Sequence, residues 1–173
     1  MNRWLAVPLR AANFRRWLLM PGSLTRALTA RCPDFHVRRL AQAHLRPLED
    51  ERRNLHLRRG QLALVREVLL MDGDTPLVFA HSVIPLHGLE GPWAGLAGLG
   101  NRPLGAALFA DPRIERLPLE CRCLDRRHPL YPAASRHFDG LPRTLWARRS
   151  RFLLAGHALL VTEVFLPAIL RLP

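Results

Sequence analysis

Cysteine is scarce in this 173-residue chain, with only Cys32, Cys121 and Cys123 present. Three thiols without a C-x-x-C pair build neither a disulfide framework nor a tetrahedral zinc site, and they point to a reduced, cytoplasmic setting. Lysine is absent, so all 26 basic side chains are arginine. None of the eight histidines falls in an H-E-x-x-H or comparable ligand spacing. Gly98 and Gly100 resemble the start of a phosphate loop, but Pro103 stands where G-x-G-x-x-G needs glycine, and no strand leads into it. Metal and nucleotide cofactors are therefore not expected. Ser150 lacks the G-x-S-x-G setting of an exposed nucleophile. The opening MNRWLAVPLRAANFRRWLLM has no uninterrupted apolar core of an export signal, because arginines and a proline break it. The most apolar later stretch, HALLVTEVFLPAIL, carries Glu163 and Pro167 and falls short of a membrane span. Neither export nor stable membrane insertion is expected, and internal repeats are absent.

The rest of the composition is that of a folded domain, 49% hydrophobic and 23% charged. Residues 1–173 suffice for one domain with a sizeable core. Against the 26 arginines stand 14 acidic residues, a net charge of +12. Such a field attracts nucleic acid, an acidic membrane surface or a small polyanionic substrate, and it is equally the mark of a solvated basic surface. With one tyrosine and no recognition motif, a nucleic-acid partner is not expected.

Residues 11–31 read as two short helices separated by Pro21-Gly22, with Ser23 as N-cap of the second. A first strand begins at Phe35, where apolar and polar residues alternate. Residues 45–60 are highly charged and read as a solvated loop or a turn of helix. LALVREVLLM and PLVFAHSVIP are β-prone runs joined by Asp72-Gly73-Asp74-Thr75, a hairpin signal with a loop longer than the two-residue type. Residues 87–110 read as helical, with Pro103 near the start of PLGAALF. Residues 119–124 suit another strand, and the proline-containing stretch 125–143 reads as an irregular excursion. A second hairpin, RRSRFLL and ALLVTEVFLP around Ala155-Gly156-His157, closes the chain. Tight hairpins with helices in separate segments indicate an α+β fold with an antiparallel sheet.

Two charges stand among apolar neighbours. Arg66 shares a strand face with Leu64, Val68 and Leu70, and Glu163 shares one with Leu159, Val161 and Phe165. Burying an unpaired charge costs several kcal/mol, so each needs a partner. One reading pairs Arg66 with Glu163, or with nearby Glu67, as a structural ion pair. The other makes a pocket in which Arg66 holds a substrate carboxylate and Glu163 binds or deprotonates a hydroxyl. The cluster Arg148-Arg149-Ser150-Arg151 suits either anion attraction or protection of an exposed strand edge.

The segments VREVLLMDGDTPLVFAHSVIP, LGNRPLGAALF and ARRSRFLLAGHALLVTEVFLP, in this order, resemble signature blocks of the chorismate lyases. The likeness runs from about residue 62 to 168 and includes SLTRAL at 23–28 weakly. It implies a monomeric α+β domain, an antiparallel sheet with helices on one side, and helical flaps over an internal site. It also implies elimination of pyruvate from chorismate to give 4-hydroxybenzoate, the first committed step toward ubiquinone, without a cofactor. Arg66 falls at the family's substrate-anchoring arginine and Glu163 at its acidic residue. Leu104, in the P-L-G block, and Leu24, where relatives carry methionine, fall at backbone contacts to substrate. A sensing module of the same fold and a lyase yielding another hydroxybenzoate remain alternatives. The stretch 125–143 departs from compact members of the family.

A diffuse basic surface binds DNA weakly, without sequence preference, and loses it in moderate salt. Gel shifts in rising salt check this; tight binding to one sequence that survives salt would overturn it.

Overall fold

The computed structural model describes residues 3–8, 11–137, 140 and 142–173. The seven strands are β1 (Phe35–Leu45), β2 (Ala63–Asp72), β3 (Thr75–Pro85), β4 (Glu115–Arg116), β5 (Glu120–Asp125), β6 (Thr144–Leu154) and β7 (His157–Phe165). They form one antiparallel sheet in the order β1-β2-β3-β7-β6-β4, and β5 lies on the same side of β6 as β4. The α+β class and the antiparallel sheet expected from the hairpins are as found.

Both central hairpins turn tightly. Asp72 pairs with Thr75, so Gly73 and Asp74 alone make the β2–β3 turn, which is shorter than the sequence suggested. Gly73, at φ +51°, takes the position that glycine favours in such turns. Likewise Leu154 pairs with His157, leaving Ala155-Gly156 as the β6–β7 turn. Alternation then gives the sheet two distinct faces.

One face carries Val68, Leu70, Val78 and Phe165 against Trp17, Leu18, Leu24 and Leu28, and Leu64, Ile84 and Phe152 against Trp93, Leu104 and Leu108. The covering helices are α1 (Arg15–Leu18), α2 (Leu24–Thr29), α4 (Leu86–Leu89) and α5 (Leu104–Ala110), and they lie together on this side as expected. Ser23 caps α2 by accepting a bond from the Arg26 amide. Two short helices, α3 (Glu49–Asn54) and α6 (Leu130–Ser135), cover the opposite face.

Both of these helices correct the sequence reading. The 125–143 excursion contains α6, whose Leu130, Tyr131 and Ala134 are buried. Pro132 is tolerated because it sits in the first turn, where the backbone N–H has no intrahelical partner. Residues 138, 139 and 141 of that excursion lie outside the described residues. The 45–60 stretch contains α3, which is not wholly solvated: Glu51 is 2% exposed. Glu51 accepts from the Leu48 amide and faces His81, which lies between it and Glu67 at 3.2 and 3.1 Å.

The same face explains half of the 148–151 arginine cluster. β6 is an interior strand, flanked by β7 and by β4 and β5, so the cluster does not protect an edge. Its first two members point to opposite faces. Arg149, on the α3 side, is 6% exposed and bonds Glu120 and Asp50 while its guanidinium lies over the Trp4 ring. Trp4 Nε1 also donates to Asp50.

Burial alone would push the His81 pKa down, but Glu51 and Glu67 outweigh it and raise the group to about 9. A raised folded pKa adds stability that is complete below the unfolded value and is lost as pH climbs through the folded one. Wild-type stability is therefore expected to fall between about pH 6.5 and 9, by roughly 3 kcal/mol. Denaturant melts across that range check this, and His81→Gln should flatten the decline.

Candidate functional site

A cavity lies between the helix-covered face of the sheet and the α2–α5 cover. Two cross-strand rows make its floor. The first runs Arg66, Ser82, Val161, Ser150 across β2, β3, β7 and β6. The second runs Val68, Ala80, Glu163, Arg148 across the same strands. Small side chains in the middle of the rows, Ser82 and Ala80, leave room between Arg66 and Glu163. Leu24 and Thr25 of α2 and Leu104, Gly105 and Leu108 of α5 complete the wall. Gly105 permits the helices to meet: a Cβ there would sit 2.7 Å from Thr25 Oγ1.

All four residues singled out from the sequence, Leu24, Arg66, Leu104 and Glu163, thus line one cavity. Their charges are not paired with each other, however. Glu163 takes its ion pair from Arg148, Nε to Oε2, and Glu67 is engaged by His81 on the other face. The structural pairing of Arg66 with either acid is therefore set aside.

Arg66 is 2% exposed and forms no ion pair among the described residues. Its Nη2 donates to the carbonyls of Gly100 and Arg102, both at 3.0 Å, and its Nε has no partner. Burial, with a smaller contribution from Arg39, lowers its pKa. A desolvated guanidinium with spare donors on a cavity wall is a ready site for a carboxylate.

Arg148 and Arg116 were missed as site residues. Arg148 is 1% exposed; beyond Glu163, its Nη1 donates to the carbonyls of Trp17 and Met20, tying the α1 end to the sheet. The signal was available in the hairpin: counting back from the two-residue turn sets Arg148 opposite Glu163. Arg116 lies on the two-residue strand β4, too short to show in the sequence pattern. Its Nε donates to Ser150 Oγ and its Nη1 to the Gly22 carbonyl, both at 3.0 Å.

Comparison with known proteins shows the family of the chain. A family profile described as chorismate lyase matches residues 6–171. A probable chorismate pyruvate-lyase of Aromatoleum aromaticum is 54% identical, over 98% of this chain and 95% of that protein. The chain belongs to the chorismate lyase family. A probable chorismate pyruvate-lyase of Thiobacillus denitrificans is 50% identical, over 96% of this chain and 90% of that protein. Among solved structures, the PhnF C-terminal domain has a TM-score of 0.60 at 12% identity, covering 84% of this chain and 89% of its own. The ligand-binding domain of a putative GntR-family transcriptional regulator from Bordetella bronchiseptica has a TM-score of 0.54 at 17% identity, covering 77% and 84%. These two share the fold with the chorismate lyase family chain; at such identity the likeness extends no further.

The two buried arginines should behave differently on removal. Arg148→Met strands Glu163 and two carbonyls and should destabilise the fold by roughly 3–5 kcal/mol. Arg66→Met strands two carbonyls but no acid, and it removes a buried cation without a counter-ion among the described residues, so its cost should be smaller, about 1 kcal/mol. Denaturant melts of both variants beside wild type read the difference; equal losses would contradict it.

Proposed function

We propose that this chain eliminates pyruvate from chorismate to give 4-hydroxybenzoate, acting over residues 1–173 as a single-domain, cytoplasmic monomer at the first committed step toward ubiquinone. The observation that carries this reading is Arg66, a buried cation on a cavity wall with no ion-pair partner among the described residues. Membership of the chorismate lyase family supplies the substrate.

In this reading Arg66 holds the ring carboxylate, with its planar fork set by the Gly100 and Arg102 carbonyls. Glu163 stands two strands away, roughly 10 Å by strand spacing, and receives the hydroxyl at the opposite end of the ring. That placement favours the 4-hydroxy product over the 3-hydroxy isomer. Arg148 occupies one Glu163 oxygen, Oε2, and so leaves Oε1 for the substrate hydroxyl. Leu24 and Leu104, at the starts of α2 and α5, close the site at the carboxylate end and offer their backbone amides.

Elimination breaks the ether C–O bond, and the ring carbon bearing the hydroxyl gives up its proton. The departing enolpyruvate takes up a proton at its methylene carbon and becomes pyruvate. Aromatisation drives the step, so orientation, exclusion of water and one assisted proton transfer suffice, with no redox or metal input.

The protein should release equal amounts of pyruvate and 4-hydroxybenzoate from chorismate in the presence of chelator. Arg66→Lys, a point charge in place of a fork, and Glu163→Gln should each lower activity at least about tenfold. Chromatography of the products with coupled pyruvate assay checks this. Release of 3-hydroxybenzoate would overturn the product, and a folded but inactive protein would favour a sensing module of the same fold.

A further inference from the structure

The cavity contains more positive charge than a ring carboxylate requires. Arg66, Arg116 and Arg148 line it against the single acid Glu163, an excess of two. Arg148 is committed to Glu163 and to the Trp17 and Met20 carbonyls. Among the described residues Arg116 forms no ion pair and gives one bond each to Ser150 Oγ and the Gly22 carbonyl. Its remaining nitrogen, Nη2, has no hydrogen-bond partner among the described residues, and the side chain lines the cavity.

The position of Arg116 is fixed from several sides. β4 pairs with Leu153 and Phe152 and so delivers the side chain at the outer side of β6. The guanidinium lies over the rings of Phe109 and Phe152, which meet edge to face at 5.7 Å. Such stacking pre-organises an arginine while leaving its edge free for a bidentate anion. Ser150, which it touches, ends the cross-strand row that begins at Arg66. Three strand gaps separate the ends of that row, roughly 14 Å between backbones, and both arginines reach inward from them. The two cations thus bracket the space over Ser82 and Val161.

We propose that Arg116 is a second carboxylate-binding residue, which holds the enolpyruvyl carboxylate of the substrate and then the departing pyruvate. This rests on the lyase reading above and extends it to the leaving group. Arg66 and Arg116 together match a dianion, with Glu163 between them at the hydroxyl. The 4-hydroxybenzoate product lacks the second carboxylate, so Arg116 distinguishes substrate from product where Arg66 cannot.

The test uses the full chain, chorismate, and two aromatic probes. 3-(Carboxymethoxy)-4-hydroxybenzoate carries the second carboxylate, and 3-isobutoxy-4-hydroxybenzoate replaces it with an isosteric uncharged arm. Wild type should bind the first at least about tenfold more tightly by calorimetry, the range of a charge-assisted bond. In Arg116→Met that preference should vanish and kcat/KM for chorismate should fall at least about tenfold, while affinity for 4-hydroxybenzoate stays within about twofold. Arg116→Lys should restore part of the KM effect. Equal wild-type affinity for the two probes would overturn the proposal even if Arg116→Met does not fold. So would an active Arg116→Met with unchanged KM, or one that loses 4-hydroxybenzoate affinity in parallel. A wild-type protein that prefers the dianion but leaves chorismate intact would sink the lyase reading while retaining the anion site.

Discussion

The ion pair between Arg148 and Glu163 joins two interior strands and sits against the cavity. A guanidinium this deeply buried must place most of its N–H groups on acceptors, and Arg148 finds them on β7, at the end of α1 and at Met20. One side chain therefore sets where the Glu163 carboxylate points and where the N-terminal cover rests. The β6–β7 register makes this possible, because it brings the two residues directly opposite on the cavity face. Without that pairing, Glu163 would be an acid of undefined orientation in an apolar layer.

The chain's basic excess is not spread evenly over the two sides of the sheet. On the α3 side each buried cation meets acids: His81 meets Glu51 and Glu67, and Arg149 meets Asp50 and Glu120. On the cavity side the hydrogen-bond acceptors of Arg66 and Arg116 among the described residues are backbone carbonyls and a hydroxyl. Charge is matched where helices are fastened to the sheet and left unmatched where a ligand can supply the counter-ion. Desolvation makes the unmatched cations costly, so the arrangement favours an anion beside them.

The fold was legible where alternation and turn residues act locally. β2, β3, β6 and β7 follow from period-two patterning and the glycine turns, and Ser23 marks the start of α2 as a cap should. The placement of Arg66 and Glu163 on one cavity follows from the same alternation. Their lack of mutual pairing does not, because it depends on one further strand, β3, lying between theirs in register. Reading the β6–β7 turn as three residues rather than two hid the Arg148 partner. α6 and the burial of α3 escaped because each is a six-residue helix whose burial comes from the sheet it lands on, not from its own periodicity. Arg116 escaped because its strand has two residues and its hydrogen-bond partners Gly22 and Ser150 are distant in sequence.

The bonds from Arg148 to Trp17 and Met20 have a kinetic consequence. Any excursion that lifts residues 17–20 from the sheet must break both, leaving the guanidinium with Glu163 and the Phe165 ring. Water entering behind the segment then screens that pair. Movement of residues 17–20 and the electrostatic surroundings of Glu163 are consequently one equilibrium: the segment cannot lift while the carboxylate keeps its present environment.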